Sequence, residues 1–313
     1  MKAFTLDALG TPPALRDDLP APAMGDGEVL VRVRASAPNP VDNAIAAGML
    51  SGMVEHEFPV VLGRDYAGVV EQVGADVTRY AGGDEVYGFI PHANPTVRDG
   101  SWAELIAMPE DNSIAHKPKG VDVATAGAAP LAGITAVTAV DVLELSEGDT
   151  VLVVGATGGV GSFAVQLAVD AGATVIAPAL SEDESYLRGL GVGELLDRNA
   201  DVAAAVRERH PNGVDAVLDV VSYTPDAFDA YAAALKPGGR GASSNAAAGD
   251  ASGRSNVMAV PSPENLERLA QLLDGGALKV TIQDTYELDR AGEALQALGT
   301  THTQGKIAIR GIR

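Results

Sequence analysis

One stretch constrains this chain more than any other: Asp149–Ala168, DTVLVVGATGGVGSFAVQLA. Val151, Leu152, Val153 and Val154 are consecutive apolar residues, as in a strand buried on both faces. A glycine-rich turn follows at once, Gly155-Ala156-Thr157-Gly158-Gly159-Val160-Gly161. Beyond it, Phe163, Ala164, Leu167 and Ala168 recur at helical spacing and share one face. Strand, tight glycine turn and helix form the first half of a dinucleotide-binding βαβ unit. Glycines let the backbone approach a pyrophosphate, and the helix N-terminus offers unpaired N–H groups and a positive dipole end. Ala156, Thr157, Gly158, Gly159, Val160 and Gly161 are therefore the candidate cradle. The usual first glycine of the fingerprint is Ala156 here, with Gly155 just before it. A purely structural turn is the plainer alternative; the flanking strand and helix favour the nucleotide.

A chain of 313 residues allows one large or two medium domains. Aromatic residues are only 4%, so the cores must be built from Ala, Val and Leu. The net charge of −20 argues against binding nucleic acid or an anionic membrane through the general surface. With no cysteine there is neither a disulfide nor a thiolate zinc site. The first ten residues, MKAFTLDALG, lack the apolar core of a signal peptide. The longest weakly polar run, Ala126–Val140, is interrupted by Pro130 and Gly133 and is too short to span a bilayer. The expectation is a cytoplasmic protein.

The first hundred-odd residues read as β-rich. Val29–Val33 alternates with Arg32 and Arg34, and Val60–Leu62 and Ala67–Val73 are further short strands. From about residue 122 helical patterns alternate with apolar strands at Val151–Val154, Thr174–Ile176 and Ala216–Val221, the texture of a parallel sheet. Lys236-Pro-Gly-Gly239 reads as a helix stop before another strand, Asn245–Ser255 as a mobile loop, and Gly305–Arg310 as a final strand.

Several segments, in order, carry a family resemblance: Asn39-Pro-Val-Asp42, Phe58-Pro-Val-Val-Leu-Gly-Arg-Asp-Tyr-Ala-Gly68, Gly83-Asp-Glu-Val-Tyr-Gly88, Gly100-Ser-Trp-Ala-Glu104, Pro130-Leu-Ala-Gly-Ile-Thr-Ala136, the glycine turn, and Gly305-Lys-Ile. With them the chain resembles a medium-chain dehydrogenase/reductase of the zinc-independent quinone oxidoreductase group. The resemblance implies an α/β protein, with a Rossmann doubly wound parallel sheet inserted in a β-rich GroES-like catalytic domain. The boundaries expected are 1–121 for the first catalytic part, 122–260 for the Rossmann domain, and 261–313 for the return. It also implies an active site in the cleft, a homodimer joined through the Rossmann sheet edges, and a cofactor contact from Lys306.

Zinc-dependent relatives begin the motif resembling Asn39-Pro-Val-Asp42 with cysteine, and have Gly-His-Glu where this chain has Gly63-Arg64-Asp65. Arginine keeps its proton and does not serve as a zinc ligand. The histidines at 56, 92, 116, 210 and 302 show no ligand spacing. Without a metal, oxidation of a simple alcohol loses its Lewis acid, and the chemistry the resemblance implies is NAD(P)H-dependent reduction of a quinone or activated alkene, with the protein orienting the partners and stabilising oxyanion character. Asn39 and Thr135 are candidates for hydrogen bonding near that oxygen; a turn-forming Asn and an ordinary helix Thr are the blander readings. Asp42 either orients the cleft or pairs with Arg64. Relatives often carry a tyrosine two residues after this aspartate; it is Ala44 here, so the proton donor is open and water can serve. Ile45, Met49 and Tyr66 are offered as cleft lining. An enoyl-thioester reductase and a nucleotide-binding relative without turnover are the alternatives.

An acid at the tip of the second parallel strand would select NADH through the ribose hydroxyls. That tip is Ala179, which leaves room for a 2′-phosphate. Ser181 fits NADPH, Arg198 sits where relatives often place a tyrosine facing the phosphate, and Glu182-Asp183-Glu184 works against it. The expectation is NADPH, with NADH possible, no zinc, and a small-molecule electron acceptor as partner.

Overall fold

The computed structural model describes residues 1–91, 97–300 and 302–312. The chain divides into two units. The first comprises Met1–Leu131, Pro261–Gly276 and Val280–Arg313; the second comprises Ala132–Val260 and Ala277–Lys279.

The first unit is built on a seven-stranded sheet around the long strand Glu28–Ser36. Val29, Val31 and Val33 are fully buried while Arg32 and Arg34 turn outward, the alternation expected of a half-buried strand. Asp65–Val73 and Leu105–Pro109 pair antiparallel with it. The C-terminal strand Lys306–Arg310 joins its far end, with Ile309 opposite Ser36 and Arg310 opposite Ala35. Continuing that register by three residues puts Lys306 opposite Asn39. Trp102 is fully buried, and its ring lies where a side chain on Gly63 would have to go. Gly63 is also at φ +91°, so this position of the Gly63-Arg64-Asp65 segment admits only glycine comfortably.

The second unit holds a six-stranded parallel sheet. In spatial order its strands are Glu194–Asp197, Thr174–Ala179, Thr150–Val154, Val214–Asp219, Leu235–Ser243 and Arg254–Asn256. Numbered along the chain, that is the 3-2-1-4-5-6 order of the Rossmann fold, with its switch point beside the first strand. Leu152, Ile176 and Val217 are buried in its core, so these strands read as near-continuous apolar runs.

Three sequence expectations change. The division falls at Leu131 rather than 121. The reason is the helix Val123–Ala128, which packs on the strands of the first unit so closely that a Cβ on Gly127 would lie 2.8 Å from the Ala35 backbone. Lys236-Pro-Gly-Gly239 does not end a helix; it lies inside the strand Leu235–Ser243, where the register jumps from Leu235 opposite Val214 to Arg240 opposite Ala216. The extra residues are absorbed at Gly238, φ +76°. Asn245–Ser255 is not a loose loop either. Ala247 and Ala248 are fully buried beside Phe228, and Arg254 donates to the Ala248 carbonyl. Among the described residues no helix is long and apolar enough to cross a membrane.

Candidate functional site

The glycine turn joins the strand Thr150–Val154 to the helix Gly159–Asp170. Gly158 is the N-cap of that helix, and no side chain caps it. Its first backbone N–H groups therefore face outward without a side-chain acceptor, an arrangement suited to an anion. The glycines serve two different purposes. A Cβ on Gly158 would find its nearest neighbour, the Gly155 carbonyl oxygen, at 3.8 Å, so hydrogen there keeps open space before the helix end. A Cβ on Gly161 would collide with that same carbonyl, so Gly161 allows the helix to close on its own turn. Ala156 is buried, whereas Thr157, Gly158, Gly159 and Val160 are half-buried. The residues present fit a dinucleotide pyrophosphate.

The first unit contains a buried polar cluster. Asn39, Asp42, Arg64, Asp65 and Lys306 are each no more than 5% exposed. Lys306 Nζ donates to Asn39 Oδ1 at 2.6 Å and to Asp65 Oδ2 at 3.3 Å. Asn39 Nδ2 donates to the same Asp65 oxygen at 2.8 Å and to the Ala37 carbonyl at 3.4 Å. Asp65 Oδ1 accepts the Leu131 N–H at 2.7 Å, and its carbonyl accepts from Ser36 and Ser101. Asp42 Oδ2 accepts the Asn39 N–H at 2.8 Å, closing the first turn of the helix Pro40–Ala46. Asp42 Oδ1 and Arg64 Nε face each other at 3.8 Å, too far for a hydrogen bond, and neither has another hydrogen-bond partner. The two other arms of Arg64 donate to the carbonyls of Pro91 and Val61.

Burial pushes the Asp42 carboxyl up to about 7, while Arg64 pulls it the other way. Burial likewise raises Asp65, opposed first by Lys306. Burial works against the charge on Arg64 and Asp42 works for it; a guanidinium keeps its proton under such a pull. The cluster thus sets two basic side chains against two acidic ones in a dry setting.

Of the sequence candidates, Asn39, Asp42, Arg64 and Lys306 come together in this cluster. The ion-pair reading of Asp42 is the one realised. Thr135 belongs to the second unit, on the helix Pro130–Leu143, and is 6% exposed. Ile45 and Tyr66 do not line an open site: both are fully buried in the apolar core, and the Tyr66 hydroxyl donates to the Ser113 carbonyl. Met49 is 71% exposed. Asp65, the hub of the cluster, does not stand out in the sequence, where it is one acid among 42 Asp and Glu. Its signal was its place beside Arg64 at the head of an apolar strand.

The second strand ends at Ala179, as its tip position requires. Ser181 lines a depression of about 600 Å³ with Glu184, Arg188, Asp197 and Asn199. Arg198 is exposed and lines a different one, of about 660 Å³, with Ser222 and Tyr231. The basic residue beside Ser181 is Arg188, held by the Val192 and Gly193 carbonyls and 3.7 Å from Glu184. Among the described histidines, His56 bonds the Val54 carbonyl, His116 packs on Tyr80 and His210 pairs with Glu194. His92 lies outside the described residues. Among the described residues no three His, Asp or Glu side chains group as a metal site would need.

The fold and these sites define a two-unit oxidoreductase class with a dinucleotide-binding half. Residues 25–119 match the alcohol dehydrogenase GroES-like domain, and residues 190–309 match the zinc-binding dehydrogenase domain. The chain is 29% identical to a chloroplast envelope quinone oxidoreductase homolog of Arabidopsis thaliana, over 93% of this chain and 92% of that protein. It is 30% identical to the NADPH-dependent alkenal/one oxidoreductase of the same plant, over 99% of this chain and 79% of that one. The structure of a quinone oxidoreductase from Coxiella burnetii superposes with a TM-score of 0.88 at 29% identity, covering 99% of both chains. The chain belongs to the medium-chain dehydrogenase/reductase superfamily, in its quinone oxidoreductase-like group.

Proposed function

We propose that this protein is a zinc-independent NAD(P)H-dependent reductase of quinones or α,β-unsaturated carbonyl compounds. The observation that carries the reading is the uncapped, glycine-lined helix end at the switch point of a 3-2-1-4-5-6 parallel sheet. When bound there, a reduced nicotinamide supplies hydride. Gly158 leaves room for the pyrophosphate, and the N–H groups that follow it hold the charge. Zinc independence rests on donor chemistry. Two of the positions that hold zinc ligands in relatives carry Asn39 and the buried guanidinium of Arg64. Asp65 is already engaged by the Lys306 ammonium. The cluster offers a metal no thiolate or imidazole, and both of its carboxyl groups already face a basic partner, Asp42 beside Arg64 and Asp65 beside Lys306. The relatives named for quinones and for alkenals and enones support the acceptor class.

NADPH is the cofactor we favour, because Ala179 presents no carboxylate to the ribose. Arg198 is assigned to the 2′-phosphate. Arg198→Ala is then expected to raise the KM for NADPH about 10- to 100-fold, the effect of losing a charge-assisted hydrogen bond, and to leave that for NADH nearly unchanged. A wild type that prefers NADH, or an equal effect on both cofactors, contradicts the assignment. The carboxylates of Glu184 and Asp197 beside Ser181 would then be the reason.

We infer that the protein is a homodimer. Arg254–Asn256 and Glu194–Asp197 are the edge strands of the parallel sheet. Two-fold pairing of such an edge satisfies its open N–H and carbonyl groups. Light scattering at micromolar concentration should give twice the 31.9 kDa chain mass; a monomer mass rules the dimer out.

A further inference from the structure

We propose that Lys306, rather than Asn39, stabilises the negative charge that arises on the acceptor's oxygen, with Asn39 and Asp65 as the residues that position it. The proposal rests on the reading of the chain as a quinone or enone reductase. An amide nitrogen has two N–H bonds. Both of those on Asn39 point inward, to Asp65 and to the Ala37 carbonyl, and its oxygen holds Lys306. Asn39 has no donor left for a carbonyl oxygen. Asp42 is an acceptor bound to the Asn39 N–H and paired with Arg64. The Arg64 side chain is 1% exposed and committed to two carbonyls. Lys306 differs. An ammonium has three donors, two go to Asn39 and Asp65, and its side chain keeps 5% exposure, the largest in the cluster.

The chemistry calls for such a group. Hydride adds to the β-carbon of an enone, the alkene π pair moves toward the carbonyl, and the oxygen takes the negative charge as an enolate. A proton from water then adds at the α-carbon. In a metal-free site the developing charge needs a fixed donor in a low-dielectric setting, where a preorganised cation is most effective. Asp65 offsets the cost of keeping the ammonium buried, and Asn39 fixes its direction. Lys306 is not consumed in the step.

The test uses the full-length protein and its Lys306→Met, Lys306→Arg and Asn39→Ala variants. Each is measured for NADPH affinity without acceptor, by fluorescence titration. Each is then measured for kcat across a graded series, from a high-potential benzoquinone to a weakly activated enone. Lys306→Met is expected to lower kcat on the weak enone about 100- to 1,000-fold, the scale of a lost oxyanion donor. The effect on the quinone should be much smaller, since its reduced oxygen needs less help. NADPH affinity should stay within about threefold, and Lys306→Arg should restore most of the loss. Asn39→Ala, which keeps the ammonium, should cost less than tenfold on the same enone. A large loss of NADPH affinity in Lys306→Met with kcat preserved at saturation would make Lys306 a cofactor contact and overturn the proposal. So would a uniform loss across the acceptor series. If Lys306→Met fails to fold, Asn39→Ala still decides: a 100-fold loss confined to the enones assigns the donor to Asn39. A wild type that reduces no acceptor overturns the underlying function, and this proposal with it, before any variant is made.

Discussion

Arg64→Met is expected to destabilise the protein by about 3–5 kcal/mol at pH 8, the usual cost of leaving one member of a buried ion pair unpaired. Arg64 and Asp42 are 1% and 0% exposed, so water cannot take over the role of either partner. The loss should depend on pH with a definite sign. Burial raises the Asp42 carboxyl from 3.8 to about 7 in the folded chain. A carboxyl raised on folding favours the folded state at low pH, and that contribution is lost as the pH climbs through its folded value. Without Arg64 the carboxylate has no counter-charge beside it, so its ionisation costs still more. Urea denaturation of Arg64→Met should therefore show a small loss at pH 5 and a large one at pH 8. The double variant Asp42→Asn/Arg64→Met should recover much of the loss at pH 8, since no buried charge is stranded. An equal loss at both pH values, or no recovery in the double variant, would show that packing and not charge explains the pair.

The second large effect separates two glycines that look alike in sequence. Both Gly158→Val and Gly161→Val read, from the fingerprint alone, as blocks to the pyrophosphate. Gly161 is different, because its Cβ would strike the Gly155 carbonyl. Gly161→Val should fail to fold or lose several kcal/mol, beyond the ~1–3 kcal/mol typical of overpacking, because backbone rather than a side chain must move. Gly158 has φ −75° and ψ 178°, a conformation any residue adopts, with nothing closer than 3.8 Å to the added Cβ. Gly158→Val should thus fold normally and weaken NADPH binding at least tenfold, about 1.4 kcal/mol. Thermal melts and fluorescence titration check both arms. A Gly158→Val protein that binds cofactor as the wild type does would remove the turn from the cofactor site.

These variants also mark how far sequence alone reached. The glycine turn was legible because strand, turn and helix are contiguous, and each carries its own period. The parallel sheet was legible because apolar strands alternate with helical patterns from about residue 122, whereas its Rossmann arrangement was implied only by the family resemblance. The polar cluster was not legible as a cluster. Asn39, Asp65, Leu131 and Lys306 are brought together only by the register of Lys306–Arg310 on Glu28–Ser36 and by the strand Asp65–Val73. No local pattern encodes that pairing. Lys236-Pro-Gly-Gly239 misled for a related reason: a helix-stop composition also serves a bulge inside a strand. The alanines of Asn245–Ser255 misled because small residues give no amphipathic signal, although Ala247 and Ala248 fill space against Phe228. Ser181 and Arg198 look like neighbours in function, yet they line separate depressions, and Arg188 shares the one with Ser181.

The protein is expected to reduce a quinone or enone without zinc. The most direct measurement is acceptor-dependent oxidation of NADPH, followed by nicotinamide absorbance, on protein stripped with a strong chelator and checked by metal analysis. Turnover with at least one quinone or enone should be undiminished, with no gain when zinc is returned. A protein that is inactive after stripping and recovers on addition of stoichiometric zinc would contradict it.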